Sequence, residues 1–179
     1  AGFQEDRGQM FFRIMDIVKV KHPKYILLEN VKNLMTHDRG KTIRRILQEL
    51  SSEGYTVRHD IFNSVNYGLP QVRNRTLILA RSSELGEFEF TTELVTQHFN
   101  AIKRNNCTLS FYSSTIDVLA EKVAEKYYLS QRIKPTILSD GSGNFKSNSE
   151  IDKLVARTLT ASMHKMHRAC QDNYYSDMF

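Results

Sequence analysis

The chain has 179 residues, 40% hydrophobic and 25% charged, with three prolines, eight glycines and two cysteines; this fits a globular protein with a buried core and excludes collagen-like, disordered and disulfide-scaffold classes. Its longest apolar run, Tyr25 to Leu28, is far too short to span a bilayer, and no signal peptide opens the chain, so the expected compartment is reducing cytoplasm without membrane contact. The formal net charge is +5 and the pI near 9.2, a modest basic excess that gives only a weak vote for a polyanionic partner.

From Gln9 to His22, apolar residues Met10, Phe11, Ile14, Ile17 and Val18, with Met15 as a further candidate, repeat at three and four, the spacing of one helix face. His22-Pro23 ends that helix, because proline disfavours helical backbone at the residue before it. Lys24 to Val31 reads as a short, buried strand with its polar residues at the C-terminal end. Residues 32–40 form a loop, and Thr42 to Ser52 is an amphipathic helix through Ile43, Ile46, Leu47 and Leu50, closed by Gly54. Thr56 to Asn63 alternates as a strand, Tyr67-Gly68-Leu69-Pro70 turns the chain, and Thr76 to Ala80 is a second buried strand. The first 82 residues therefore read as an α/β arrangement whose last two strands form a long hairpin. Periodicity weakens afterwards: residues 84–113 are ambiguous, 114–127 suggest a short helix, and 140–144 a turn. A boundary at residue 82 gives domains 1–82 and 83–179.

Three groups of residues could carry chemistry. Glu29 and Asn30 stand at the C-terminal end of a strand, where open α/β sheets place their ligand crevices. A desolvated glutamate can hold a proton near neutrality, so it can both accept from and donate to a cytosine edge; the plain alternative is a solvated strand end. Gln71, Arg73 and Arg75 lie on one side if the strand alternation extends through them. Two guanidiniums presented together can hold a phosphate and a pyrimidine O2, or can simply be solvated arginines. The segment from Lys153 to Gln171 has four basic residues and no acid. Around it Arg157, Thr158, Thr160, Ser162, His164, Lys165, His167, Arg168, Gln171, Asn173 and Tyr174 interleave basic, hydroxyl, amide and aromatic groups. Such a mixture suits phosphate and base-edge contacts, and also suits an ordinary polar surface. His164, His167 and Cys170 are three apart and could start a zinc site with Cys107. They lack a paired knuckle spacing and carry Lys165 and Arg168 among them, so no metal is assigned.

Taken together and in order, GFQEDRGQMFF (2–12), PKYILLENVKNLMTHDRGKT (23–42) and NSVNYGLPQVRNR (63–75) resemble the signature blocks of DNA (cytosine-5)-methyltransferases of the bacterial restriction–modification type. The resemblance covers about residues 2–82. It implies the C-terminal part of a Rossmann-like catalytic domain, followed by a smaller mixed target-recognition region at 83–179. The implied reaction is transfer of a methyl group from S-adenosyl-L-methionine to carbon 5 of a flipped-out cytosine in duplex DNA. Position by position, Glu29 matches the cytosine-binding acid, Asn30 its neighbour, and Arg73 and Arg75 the active-site arginines. Gln71 matches the glutamine that orders its loop and contacts DNA, and Met10 an apolar residue beside the cofactor. Residues 151–176 resemble target-recognition segments, which makes Arg157, Lys165, Arg168 and Gln171 candidate DNA contacts.

The family's nucleophile, the cysteine of a Pro-Cys-Gln loop, is not among these residues: Cys107 sits in NNCTLS and Cys170 in RACQDN. Without a thiolate to attack carbon 6 the ring is not activated. The chain is therefore expected to be part of an enzyme, inactive alone, with most of the cofactor pocket outside it. Either the polypeptide is truncated or a second polypeptide supplies the nucleophile and the cofactor loop. Two other readings remain open: a non-catalytic DNA-binding specificity subunit, and a fragment of an RNA cytosine-5 methyltransferase.

Overall fold

The computed structural model describes residues 6–105, 110–139, 141–142, 144–146, 149–161, 163–165, 167–168 and 170–179. Helix α1 (Asp6–Lys21) leads into strand β1 (Tyr25–Val31), and two 3-10 turns bring the chain to helix α2 (Lys41–Ser52). Strands β2 (Tyr55–Asn63) and β3 (Asn74–Ser82) complete a sheet of order β1-β3-β2, in which β3 runs antiparallel to both neighbours. Helix α3 (Thr92–Asn105) follows, then the short helix α4 (Lys134–Leu138) and the two-residue strands β4 (Gly141–Ser142) and β5 (Phe145–Lys146). The α/β order expected for residues 9–82 is the one observed, including the β2–β3 hairpin.

The core lies on one face of the sheet. Thr76, Ile78 and Ala80 alternate inward from β3, joined by Ile26 and Tyr55 from its neighbours. Ile43, Ile46 and Leu50 of α2 close over them, as do Phe11, Met15 and Val18 of α1. Each fully buried aliphatic side chain there contributes about 1.5–3 kcal/mol relative to exposure. The α1 stripe differs from the expected one. Met10 and Ile17 are exposed, whereas Phe11, Met15 and Val18 of the same set are buried. The helix carries two apolar stripes, and the sheet takes the one through 11, 15 and 18.

Three other expectations are corrected. Strand β1 is not buried: it is the outer strand of the sheet among the described residues, and only Ile26 of its seven residues is fully covered. Residues 114–127 form no helix but two isolated 3-10 turns, Thr115–Asp117 and Glu125–Tyr127. A capping box between Ser114 and Asp117 closes the first after one turn, and the apolar residues that would drive a longer helix, Ile116, Val118 and Leu119, stay exposed. The ambiguous stretch contains α3, set in place from outside itself: Asp60 Oδ2 accepts the Thr92 N–H at 2.7 Å, and the Thr92 hydroxyl donates to Ile61 O at 2.8 Å.

The chain divides into two compact units elsewhere than at residue 82. Residues 1–63 with 74–107 form the first, and 64–73 with 108–179 the second. The bonds to Thr92 keep α3 with the sheet. Arg81 adds two hydrogen bonds of 2.6 Å to the carbonyls of Gly86 and Glu87, and Arg58 pairs with the Glu87 carboxylate at 2.8 Å. In the second unit, Tyr112 N–H donates to Gly68 O and Thr115 N–H to Leu154 O.

Asp60 yields a test. Partial burial works against its charge, but the N–H groups of Thr92 and Ile61 and the Thr92 side chain outweigh it and hold the carboxyl below the usual carboxylate range. Because the folded pKa lies below the unfolded one, this stabilisation is fully present above the ordinary carboxylate range and fades as pH falls through the lowered folded value. Asp60→Asn is expected to cost about 1–2 kcal/mol at neutral pH in a denaturant titration. That deficit should shrink as the pH is lowered towards acid; a deficit constant with pH contradicts the assignment.

Candidate active site

Glu29 and Arg75 come together on the sheet face opposite the helices. In the β1–β3 ladder Glu29 stands across from Leu77 and Val31 from Arg75. The two charged residues are thus diagonal neighbours with the same inside–outside parity. Arg75 Nε lies 2.5 Å from Glu29 Oε1, and its Nη1 donates to Asn74 O at 2.9 Å. The guanidinium is the more enclosed partner: its side chain is 22% exposed and that of Glu29 57%. A pair this open adds at most about 1 kcal/mol to stability. What it offers is a carboxylate and a guanidinium held side by side at the end of a strand, with the carboxylate reachable from solvent. Asn30 turns its Oδ1 back onto the Val31 N–H at 2.8 Å and so helps to end the strand.

The turn after β1 is built from unusual backbone. Asp38 (φ 47), Arg39 (φ 53) and Gly40 (φ 77) are all left-handed, a conformation that costs roughly 1–2 kcal/mol for each non-glycine residue. His37 Nδ1 bonded to the Thr42 hydroxyl at 2.6 Å, and Arg44 bonded to Arg39 O at 3.0 Å, hold it in place.

Gln71 and Arg73 do not continue the alternation of Arg75. Strand β3 begins only at Asn74, so both lie in the preceding loop, which packs with the second unit. There the loop is held by its backbone. Ser64 N–H donates to Arg73 O at 3.2 Å, and the Ser64 hydroxyl to Gln71 O. Gly68 (φ 74) makes the turn, and a Cβ there would stand 2.6 Å from a ring carbon of Phe111. Across from it runs the segment 156–158: Val72 N–H donates to Ala156 O at 2.9 Å, Ala156 N–H to Pro70 O at 2.8 Å, and the Thr158 hydroxyl to Val72 O.

Arg157 is drawn inward. Its guanidinium meets Glu150 Oε2 at 3.1 Å and the carbonyls of Glu150 and Asp172 at 3.3 and 3.2 Å. Lys165, itself exposed, ends a 3-10 turn, and Arg168 Nη1 donates to Gln171 Oε1 at 2.7 Å, which sets these two polar heads together at the surface. Beneath them Asp172 is 7% exposed, and its Oδ2 accepts the Arg168 N–H at 2.9 Å. Burial, and then the Asp172 charge, push the Tyr174 hydroxyl up to about 12. Met10 stands 63% exposed on α1. Cys107, Ser162 and the His164 side chain lie outside the described residues. Among the described residues no three His, Cys, Asp or Glu side chains gather as a metal site, and no helix is long and apolar enough to cross a membrane. The loop-clamping role of 156–158 escaped the sequence because it rests on backbone groups, which leave no residue signature.

Comparison with known proteins places these residues among relatives. The family model described as C-5 cytosine-specific DNA methylase matches residues 1–178. The type II methyltransferase M.BsuFI of Bacillus subtilis is 34% identical over 172 residues, 93% of this chain and 38% of that protein. M.NgoBI of Neisseria gonorrhoeae is 48% identical over 84 residues, 47% of this chain and 26% of the relative. Among solved structures, the Dnmt2 methyltransferase of S. pombe superposes with a TM-score of 0.66 at 18% identity, covering 93% of this chain and 49% of that one. The Entamoeba histolytica methyltransferase EhMeth gives 0.61 at 18%, covering 95% and 47%. The Rossmann-like methyltransferase fold is thus shared. The chain spans between a quarter and two fifths of the length of these curated relatives.

Proposed function

The chain belongs to the C-5 cytosine-specific DNA methylase family, and we propose that it supplies the base-holding side of the active site, with part of the target-recognition region, of a restriction–modification type enzyme that methylates carbon 5 of a flipped cytosine in duplex DNA. The observation that carries this reading is the Glu29–Arg75 pair. Glu29 presents its carboxyl to the amine and N3 edge of cytosine. Arg75 fixes the orientation of that carboxyl and presents the rest of its guanidinium to O2, where negative charge develops once a nucleophile has added to the ring. Arg73, two residues earlier in the chain, is the second guanidinium of the reaction, and Gln71 orders its loop.

S-adenosyl-L-methionine supplies the methyl group when bound, but the residues present do not fit a cofactor pocket. Met10 is a single, largely exposed side chain. The attacking thiolate likewise has no Pro-Cys-Gln loop among these 179 residues. The outer edge of β1 supports a further polypeptide segment or second chain as their source. Tyr25, Leu27 and Val31 are exposed on one side of that edge, and Met10, Ile17 and Val20 on α1 form a second open apolar stripe. Apolar strand edges of this kind are normally paired or covered. In this reading, the unit of residues 1–63 and 74–107 carries the Glu29–Arg75 pair and the unit of residues 64–73 and 108–179 carries the recognition segment.

DNA contact falls to Lys165, Arg168 and Gln171 at the surface, while Arg157 acts from inside by shaping the segment. The motif blocks by themselves leave an RNA substrate open, so a structured RNA belongs in the assay beside duplex DNA.

Two measurements test the reading. This chain alone should incorporate no label from radiolabelled S-adenosylmethionine into cytosine-containing duplex DNA. Joined to the missing length of its relatives it should, and Glu29→Gln or Arg75→Ala should then lower kcat by about 10²–10³-fold; label entering only the RNA would move the function to that substrate. In binding titrations, Lys165→Ala or Arg168→Ala should weaken target and random duplexes alike and reduce the salt slope by about one if the residue meets a phosphate. Gln171→Ala should cost about 1–3 kcal/mol on the target alone if it reads a base. Three silent substitutions would remove the DNA assignment from this segment.

A further inference from the structure

In an extended chain, successive peptide groups point to opposite sides. Residues 156–158 use both sides. Ala156 and Thr158 turn towards the loop that carries Gln71 and Arg73, binding Pro70 and Val72 through the Ala156 N–H and C=O and the Thr158 hydroxyl. Arg157 turns its own peptide groups the other way, where they meet one side chain. Asn173 Oδ1 accepts the Arg157 N–H at 2.7 Å, and Asn173 Nδ2 donates to Arg157 O at 3.2 Å. A carboxamide has the same donor and acceptor pair as a peptide unit, so Asn173 takes the place of a neighbouring strand.

We propose that Asn173 is a positioning residue for methyl transfer: by pairing with both backbone groups of Arg157 it holds the 156–158 strip straight, and the strip in turn sets the backbone of the loop bearing Gln71 and Arg73. The proposal rests on the reading of Arg73 as an active-site guanidinium. It gives a residue near the end of the recognition segment a role in the chemistry rather than in DNA contact. The Arg157 guanidinium reinforces the same arrangement by tying Glu150 O and Asp172 O to the strip, and Asp172 precedes Asn173, so the amide approaches from a chain that is itself anchored. Three separate attachments thus act on one residue of the strip. The loop's own bonds, from Ser64 to the carbonyls of Gln71 and Arg73 and from the Tyr112 N–H to Gly68 O, hold its turn, and the 156–158 strip adds the bonds to Pro70 and Val72.

The side chain is separable from the fold of the unit by choosing the substitution. Asn173→Ala removes both bonds. Asn173→Asp keeps the acceptor for the Arg157 N–H and removes the donor. Asn173→Gln keeps the amide but displaces it by one methylene. Amide hydrogen exchange of the 179-residue chain should show the Val72 and Ala156 N–H groups exchanging about tenfold faster or more in Asn173→Ala, with a smaller effect in Asn173→Asp. The Ile137 N–H of α4 and the Ile78 N–H of β3 should be unchanged and serve as controls.

In the enzyme completed with the missing length, Asn173→Ala and Asn173→Gln should lower kcat about tenfold, with KM for S-adenosylmethionine and affinity for random duplex DNA unchanged. Asn173→Asp should recover part of the loss. Exchange at Val72 and Ala156 that ignores both Asn173→Ala and Asn173→Asp overturns the proposal, as does a faster exchange with kcat intact. If Asn173→Ala also speeds Ile137, the Asn173→Asp pair of readouts decides. Arg73→Ala is measured beside them: transfer that survives it overturns the underlying active-site reading of Arg73, whereas its collapse together with silent Asn173 variants overturns the positioning role alone.

Discussion

The position of β3 between two antiparallel partners is the constraint on which the first unit depends. A central strand spends its N–H and C=O groups on both sides, so its register fixes β1 and β2 at once. With Ile78 opposite Leu28 and His59, a shift of one residue would move Thr76, Ile78 and Ala80 out of the core and turn Arg75 into it. The buried face therefore locks the charged face. Arg75 meets Glu29 because Ile78 and Ala80 must meet α1 and α2, and the functional pair inherits its geometry from packing rather than from its own modest attraction.

Much of this was legible in the sequence because the signals were local. The α2 stripe of Ile43, Ile46 and Leu50 and the alternation in Thr76-Leu77-Ile78-Leu79-Ala80 identify their elements without reference to the rest of the chain. Glu29 and Arg75 were legible as a pair through the motif blocks in which they stand. What failed was whatever depended on a partner. The buried stripe of α1 runs through Phe11, Met15 and Val18 because the sheet reaches only that side, and the helix has apolar residues enough to suggest another. Helix α3 has no fully buried residue, and its start is specified by Asp60 more than thirty residues away. Residues 114–127 have apolar side chains at helical spacing but nothing packed against them, and a helix with no buried face is not stabilised by its pattern.

Arginine and lysine in the second half show why residue type is a poor guide to role. Arg157 and Arg168 lie eleven positions apart in one basic segment and read alike as DNA contacts. Yet the guanidinium of Arg157 is drawn against two carbonyls and a carboxylate, whereas Arg168 meets only the neutral amide of Gln171 through its Nη1. A guanidinium committed to internal acceptors would have to surrender them to reach a phosphate, and a buried carbonyl left unpaired costs about 1–3 kcal/mol. Counterion release favours cations whose present partners are water or weak neutral groups. The two arginines are thus divided between internal construction and the surface, where the proposed DNA contact falls.

On the proposed reading, that division lets a recognition region influence chemistry without touching the base. The loop bearing Gln71 and Arg73 turns at Gly68 and enters β3 at Asn74, and on the proposed reading of Arg73 a guanidinium displaced by an ångström loses much of its value to a transition state. Regular secondary structure would fix the loop, but it would also spend the backbone groups that let it turn at Gly68 and enter β3 at Asn74. A strip supplied by distant residues, Ala156 to Thr158, adds hydrogen bonds to it instead. The strip and the loop are joined by hydrogen bonds of ordinary strength, each worth about 0.5–1.5 kcal/mol. Bonds of that size are large enough to set the backbone of one loop and small enough to leave the fold of the unit to its other contacts.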